Sequence, residues 1–156
     1  MSPLTPAPRT TAPLTLSLGL LLARVALGVT FAAHGWQKIV TWGVPATQEA
    51  FVGMGAPVPD LTGPLVGWIE IVAGVALVLG AATRVAAVLL AATAVGAIVL
   101  VHAGAGFFVS DGGWEFVFVL AAVGVALALT GAGRLSVDAL VVDRRRGPRQ
   151  DAVTVD

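Results

Sequence analysis

Leu14-Thr-Leu-Ser-Leu-Gly-Leu-Leu-Leu-Ala-Arg24-Val-Ala-Leu-Gly-Val-Thr-Phe-Ala-Ala33 is an apolar run broken by a single charge. About 20 such residues in a helix cross the hydrocarbon core of a bilayer. Three further runs long enough to span follow, at Leu61–Ala82, Val85–Val101 and Trp114–Thr130, of which Val85–Val101 only just qualifies. Together they dominate a 156-residue chain that is 57% hydrophobic and 12% charged, with a mean hydropathy of +0.93. A soluble domain of this size cannot hide that much apolar surface in one core. The expectation is an all-α integral membrane four-helix bundle, with helices at about 14–37, 61–82, 84–102 and 114–131. Residues 14–140 would form the domain, 1–13 a disordered N-terminal tail and 141–156 a basic C-terminal tail. The first run exceeds the 7–15 residues of a signal-peptide core and contains Arg24, so it reads as an uncleaved helix.

Composition narrows the chemistry. Formal net charge is zero, so no basic field points to nucleic acid. Without cysteine there is no disulfide, thiol redox centre, thiolate metal site or covalent haem attachment. No tyrosine is available as a radical or phenolic acid. A four-ligand metal site from His34, His102, Glu70 and Glu115 satisfies the count only; no close spacing supports it, and no metal is assigned. Redox chemistry would therefore need a bound small molecule or a partner protein.

Four spans put both termini on one side. Arg9, Arg84, Arg134, Arg144, Arg145, Arg146 and Arg149 belong to that side, and Lys38 is the one basic residue near the opposite loops. Positive residues favour the cytoplasm, so both termini and the Arg84 turn are expected inside. The first loop, about Ile39–Asp60, holds Pro45, Gly53, Gly55, Pro57 and Pro59 around a segment, Ala46–Met54, suited to a helical turn or two. It is expected at the outer surface, dipping inward as a cap. The glycine-rich third loop, Ala103–Gly113, lacks the Lys-Ser/Thr of a phosphate-binding loop.

Charges inside the spans are the guide to function. Arg24 lies in the first span and Glu70 in the second, where an isolated charge costs at least about 2.5–3.5 kcal/mol and normally finds a partner. The expectation is an Arg24–Glu70 structural ion pair. On a helix Arg24, Gly28, Phe31, Gly35 and Lys38 fall in one stripe about 80° wide, with His34 beside it. His102 ends the third span and Glu115 opens the fourth. All four helices thus bring an ionisable group to the outer half, and polar groups meeting in an apolar bundle pair or bind something. The ligand-binding candidates are Arg24, His34, Lys38, Glu70, His102 and Glu115. Set against this, Lys38, Asp111 and Glu115 taken singly read first as markers of helix ends, whereas each histidine is suited to relay a proton or donate a hydrogen bond to a carbonyl.

The order of motifs resembles the DoxX family of small four-helix bacterial membrane proteins over about Leu16–Leu140. It is carried by Leu22-Ala-Arg-Val-Ala-Leu-Gly28, His34-Gly-Trp-Gln-Lys38 and Phe51-x-x-Met-Gly-x-Pro57. Glu70-x-x-x-Gly-x-x-Leu-x-x-Gly80 with Thr83-Arg84, His102 before Gly106-Phe107, and Gly112-Gly-Trp-Glu-Phe116 complete it. The resemblance implies a multi-pass protein of the bacterial cytoplasmic membrane, in a family whose members are often labelled oxidoreductases. Its relatives include a subunit of thiosulfate:quinone oxidoreductase and members linked to oxidative-stress enzymes. The family's motifs put polar residues at Arg24, His34, Lys38, Glu70, Arg84, His102 and Glu115.

Three functions fit. The first is a subunit of a membrane redox or oxidative-stress system that binds a quinone, a lipid headgroup or another small molecule, with the bilayer, redox enzymes and further copies of the chain as partners. It is not expected to be active alone. The second is a non-catalytic scaffold that anchors soluble enzymes through the Arg144–Arg149 tail. The third is a small transporter, disfavoured because no inverted repeat is evident.

Overall fold

The structure is a computed structural model that describes residues 13–145. It is helical throughout, with no strand among the described residues. The helices are α1 (Leu14–Trp36), α2 (Val44–Gly53), α3 (Pro59–Leu79), α4 (Thr83–Ala97), α5 (Glu115–Thr130) and α6 (Val137–Arg145). π-helical turns at Gln37–Thr41 and Ile98–His102 extend α1 and α4. With these extensions three helices are long and apolar enough to cross a membrane, Leu14–Thr41, Pro59–Leu79 and Thr83–Ala105; apolar Glu115–Thr130 is shorter. The surface agrees: Leu22 is 71%, Val72 63% and Leu129 73% exposed, as suits side chains that face lipid tails.

Packing follows from small residues. Gly28 and Gly35 on α1 face Gly74 and Gly67 on α3 so closely that a β-carbon at either α1 glycine would lie 2.5 Å from the facing carbonyl oxygen. Such close approach is how helices associate where lipid removes the hydrophobic drive. These contacts also fix the register, since each step along α1 matches one step back along α3. The core between the four long helices is built from Leu27, Phe31, Leu77, Leu90 and Leu127 with several alanines. On α5, Gly124 lets the helix settle on Ala87 and Ala91 of α4.

Two short helices were not expected as such. α2 is a full ten-residue helix, and it stands where a capping segment was expected. It is tied down by backbone groups that its neighbours release. The π turn sends the Trp42 N–H to Gln37 O at 2.8 Å, freeing the Lys38 carbonyl, which accepts from the fully buried Thr47 hydroxyl at 2.6 Å. Pro64 has no N–H to give Asp60 O, and the Gln48 amide donates there at 2.8 Å instead. At the opposite end α6 runs Val137–Arg145, overlapping the start of the expected basic tail. The remaining tail residues, and the expected disorder of 1–12, lie outside the described residues.

Candidate functional site

The bundle has a termini end, with the start of α1 and α6, and a loop end with α2 and the α4–α5 connection. A cavity of about 570 Å³ occupies the loop-end half, walled by all five of α1 to α5. Its lining is mostly aliphatic and aromatic, from residues such as Phe31, Phe51, Met54, Leu89 and Phe116. Among the described residues four ionisable side chains reach it: His34, Lys38, Glu70 and His102.

Lys38 Nζ donates to Glu70 Oε2 at 2.5 Å, an ion pair with side chains 18% and 7% exposed. This corrects the expected Arg24–Glu70 pair. The Gly28–Gly74 and Gly35–Gly67 contacts put residue 32 of α1 level with Glu70, and put Arg24 level with Val78. Arg24 thus sits about 12 Å from Glu70 along the axis. Helical side chains also lean toward their own N-terminus, so on antiparallel helices Arg24 and Glu70 lean apart while Lys38 and Glu70 lean together.

Arg24 is fully buried and serves the termini end. Its Nη1 donates to Leu77 O at 3.2 Å and its Nη2 to Leu135 O at 2.5 Å. There Gly80, at φ 70°, closes α3 with bonds from Gly80 N–H to Leu77 O and Ala81 N–H to Ala76 O. A guanidinium against the last carbonyls of a helix complements its dipole. Any side chain at Gly80 would collide with Arg24. Arg24 is therefore removed from the cavity.

At the loop end, the His102 Nδ1 lies 2.7 Å from Gly112 O. A carbonyl only accepts, so Nδ1 carries the proton, and in the neutral ring Nε2 is left as an acceptor. Glu115 does not join the cavity. Its Oε1 accepts from the Val109 N–H at 2.8 Å and so braces its own loop. Among the described residues no three His, Asp or Glu side chains converge on a common point. Lys38 keeps two donors beyond the one given to Glu70, and His34 makes no hydrogen bond among the described residues.

Sequence reasoning missed Thr93, a cavity residue whose hydroxyl donates to Leu90 O at 2.9 Å and keeps acceptor capacity. A lone threonine within an apolar span was the available signal. It also missed Asp138 of α6, which accepts from the Ala82 and Thr83 N–H groups at 2.8 and 2.9 Å and so caps α4 from outside its own helix. No motif marks that role.

The DoxX family model matches residues 19–103, more than half of the chain. The chain belongs to the DoxX family. Two relatives extend the likeness. "Putative oxidoreductase CatD" of Bacillus subtilis (strain 168) is 35% identical over 124 residues, covering 80% of this chain and 87% of the relative. "Inner membrane protein YqjF" of Escherichia coli (strain K12) is 31% identical over 124 residues, covering 80% and 92%. No solved structure matches the chain. The DoxX match runs from α1 through the π turn of α4, so it contains Arg24, His34, Lys38, Glu70 and His102, whereas Glu115 lies beyond it. Among the described residues, every ionisable group that lines the cavity thus belongs to the DoxX-matched segment.

Proposed function

We propose that this DoxX protein binds a quinone-class molecule, a lipophilic ring bearing two carbonyls, in the loop-end cavity, as a subunit of a membrane redox system. The observation that carries the reading is a charged pair, Lys38–Glu70, set into the wall of a mostly apolar cavity. Small-molecule pockets of about 300–1,000 Å³ with apolar walls and a few placed polar groups are the usual binding sites, and this cavity falls in that range. The donor set suits both forms of such a ring. The free N–H groups of Lys38 suit carbonyl oxygens, and His102 Nε2 suits a hydroxyl proton. Bound there, the ring would supply the electron chemistry; the protein holds it, excludes water and offers proton donors and acceptors. Electrons would come from a partner enzyme, so the isolated chain is not expected to turn over. Assembly with redox enzymes or with further copies of the chain belongs to this proposal.

The same reading places the protein in the bacterial cytoplasmic membrane with both termini inside. Arg84, Arg134 and Arg144 gather at the termini end, as the positive-inside rule requires of that orientation. A relative named as an inner membrane protein supports the location. The deciding experiment is gentle purification from native membranes, organic extraction and mass spectrometry, with Glu70→Gln alongside. Near-stoichiometric quinone in the wild type and little in the variant is expected. A folded wild-type protein that carries no such molecule would overturn the reading and favour a scaffold.

A further inference from the structure

The turn at Gly80–Ala82 sets α3 and α4 side by side and antiparallel. Glu70 is the tenth residue of α3 counted back from Leu79, and Ala92 the tenth of α4 counted on from Thr83, so the two stand level. That level is about 14 Å from the turn and about 17 Å from Pro59, near mid-span.

Ala92 lines the loop-end cavity, yet it belongs to the outer face of α4. Val85, Ala92 and Val99 recur every seven residues and so follow one line along the helix. Val85 is 63% and Val99 66% exposed, and Ala92 is exposed with them. Level with it on α3, the cavity residue Ile69 is half-buried and shares a face with exposed Leu65 and Val72. A cavity lined by outward-facing residues of two neighbouring helices is open between them. Small residues keep that opening clear. Gly96, one turn on from Ala92 and also in the lining, has no atom within 4 Å of where a β-carbon would stand. The α5 wall, in contrast, carries Phe116, Val117 and Leu120.

At mid-span the medium outside the opening is hydrocarbon. A charged or hydrogen-bonding group stationed there would lose its partners, a cost that apolar groups do not meet. The opening thus admits hydrocarbon, while Lys38 and Glu70 inside it require a polar head. An occupant that meets both demands has its head in the bundle and its tail in the bilayer. A phospholipid fails the test, because its charged phosphate would have to sit at mid-span.

We propose that the cavity takes a long-tailed, membrane-resident quinone sideways from the bilayer, the ring lodging at Lys38 and Glu70 and the isoprenoid tail leaving between Ile69 and Ala92, beside Gly96. This placement rests on the quinone reading and adds to it the class of quinone and its route of entry. Helical side chains lean toward the start of their helix, so one placed at residue 96 would lie back across the opening at the level of Ala92. Gly96→Phe would therefore plug the opening, with no collision at its β-carbon.

The test is native mass spectrometry of the full-length protein in detergent, titrated with menadione, a naphthoquinone ring without a tail, and with menaquinone, the same ring with an isoprenoid tail. Tail-free and long-tailed ubiquinone are run alongside, so that ring type does not decide the result. Wild type should bind both forms of a ring. Gly96→Phe, with Ala92→Leu as a milder plug, should weaken the tailed form about tenfold or more and the tail-free form by less than about twofold. Val85→Phe, on the same line two turns away and outside the lining, should change neither. Thermal scans establish that each variant is folded. Undiminished binding of the tailed form in both plugged variants would overturn lateral entry and leave the quinone reading standing. Equal loss of both forms would do the same, since it would put the ring itself at Gly96. A folded wild type that binds neither form of either ring would overturn the quinone reading and this placement with it.

Discussion

The Lys38–Glu70 pair makes the most exacting prediction, because its two single substitutions and their combination should not add. Glu70 lies about 17 Å along α3 from Pro59, near mid-span at 1.5 Å per residue. Lys38→Met would leave that carboxyl without its cation in a wall of apolar side chains. Insertion scales put an isolated charge there at about 2.5–3.5 kcal/mol, and a carboxyl escapes part of this by taking up a proton. A loss of about 2–3 kcal/mol in unfolding free energy is therefore expected. Glu70→Leu strands a lysine whose side chain is 18% exposed against 7% for Glu70. It can reach toward the loop end, so its loss should be smaller, about 1–2 kcal/mol. Replacing both residues removes both charges, and well-packed apolar substitutes for a buried pair are often neutral, so Lys38→Met/Glu70→Leu should lie within about 1 kcal/mol of the wild type. The coupling is then about 2 kcal/mol or more. Reversible unfolding in mixed micelles, with denaturing detergent as the titrant, measures all four proteins. A double variant that loses the sum of the two singles would refute the pairing. If the double variant folds well yet retains quinone on extraction, the pair holds helices together and has no part in binding.

Two further perturbations probe the frame around the site. Gly35→Ala would put a methyl 2.5 Å from Gly67 O and 2.8 Å from the Ile71 backbone nitrogen, forcing α1 and α3 apart, whereas a methyl at Gly19 meets nothing within 4 Å. Mixed-micelle unfolding should show a loss of about 1–3 kcal/mol for Gly35→Ala and none for Gly19→Ala; equal effects would contradict the tight α1–α3 seam. For Asp138, burial works to raise the carboxyl's pKa, but hydrogen bonds from the Thr83 and Ala82 amides and the charge of Arg24 outweigh it, and the net shift is downward from 3.8. A carboxyl whose folded pKa is depressed stabilises the fold above its unfolded pKa, and that contribution is lost as pH falls through the folded value. Wild type should therefore exceed Asp138→Asn in melting temperature at pH 7, with the gap closing below about pH 4. A gap independent of pH would refute the capping role.

What the sequence made legible and what it hid divide along a physical line. Hydropathy over some 20 residues is a one-dimensional property, and it located the spans because the bilayer selects on that property alone. The stripe from Arg24 to Gly35 was readable for a similar reason: helical periodicity is local, and Arg24, Gly28, Phe31 and Gly35 are all buried on one face. Pairing across helices is not local. Assigning Glu70 to Arg24 rather than Lys38 needed the register of α1 on α3, which the contacts of Gly28 with Gly74 and Gly35 with Gly67 fix. It also needed the inward lean of helical side chains, which turns an apparent depth match into a mismatch. The tethers of α2 show the same limit from another direction. Gln48 has a place to bind only because Pro64 orphans Asp60 O, and Thr47 only because a π turn frees Lys38 O. Nothing in the hydropathy of Ala46–Met54 foretells either bond. These tethers seat Phe51 and Met54 over the cavity that Lys38 and Glu70 share. The backbone irregularity at Lys38 therefore does two things at once. It presents the ammonium to Glu70, and it supplies the carbonyl that holds the cap in place. A substitution such as Thr47→Val should for that reason loosen the cap over the cavity without touching any charged group in it.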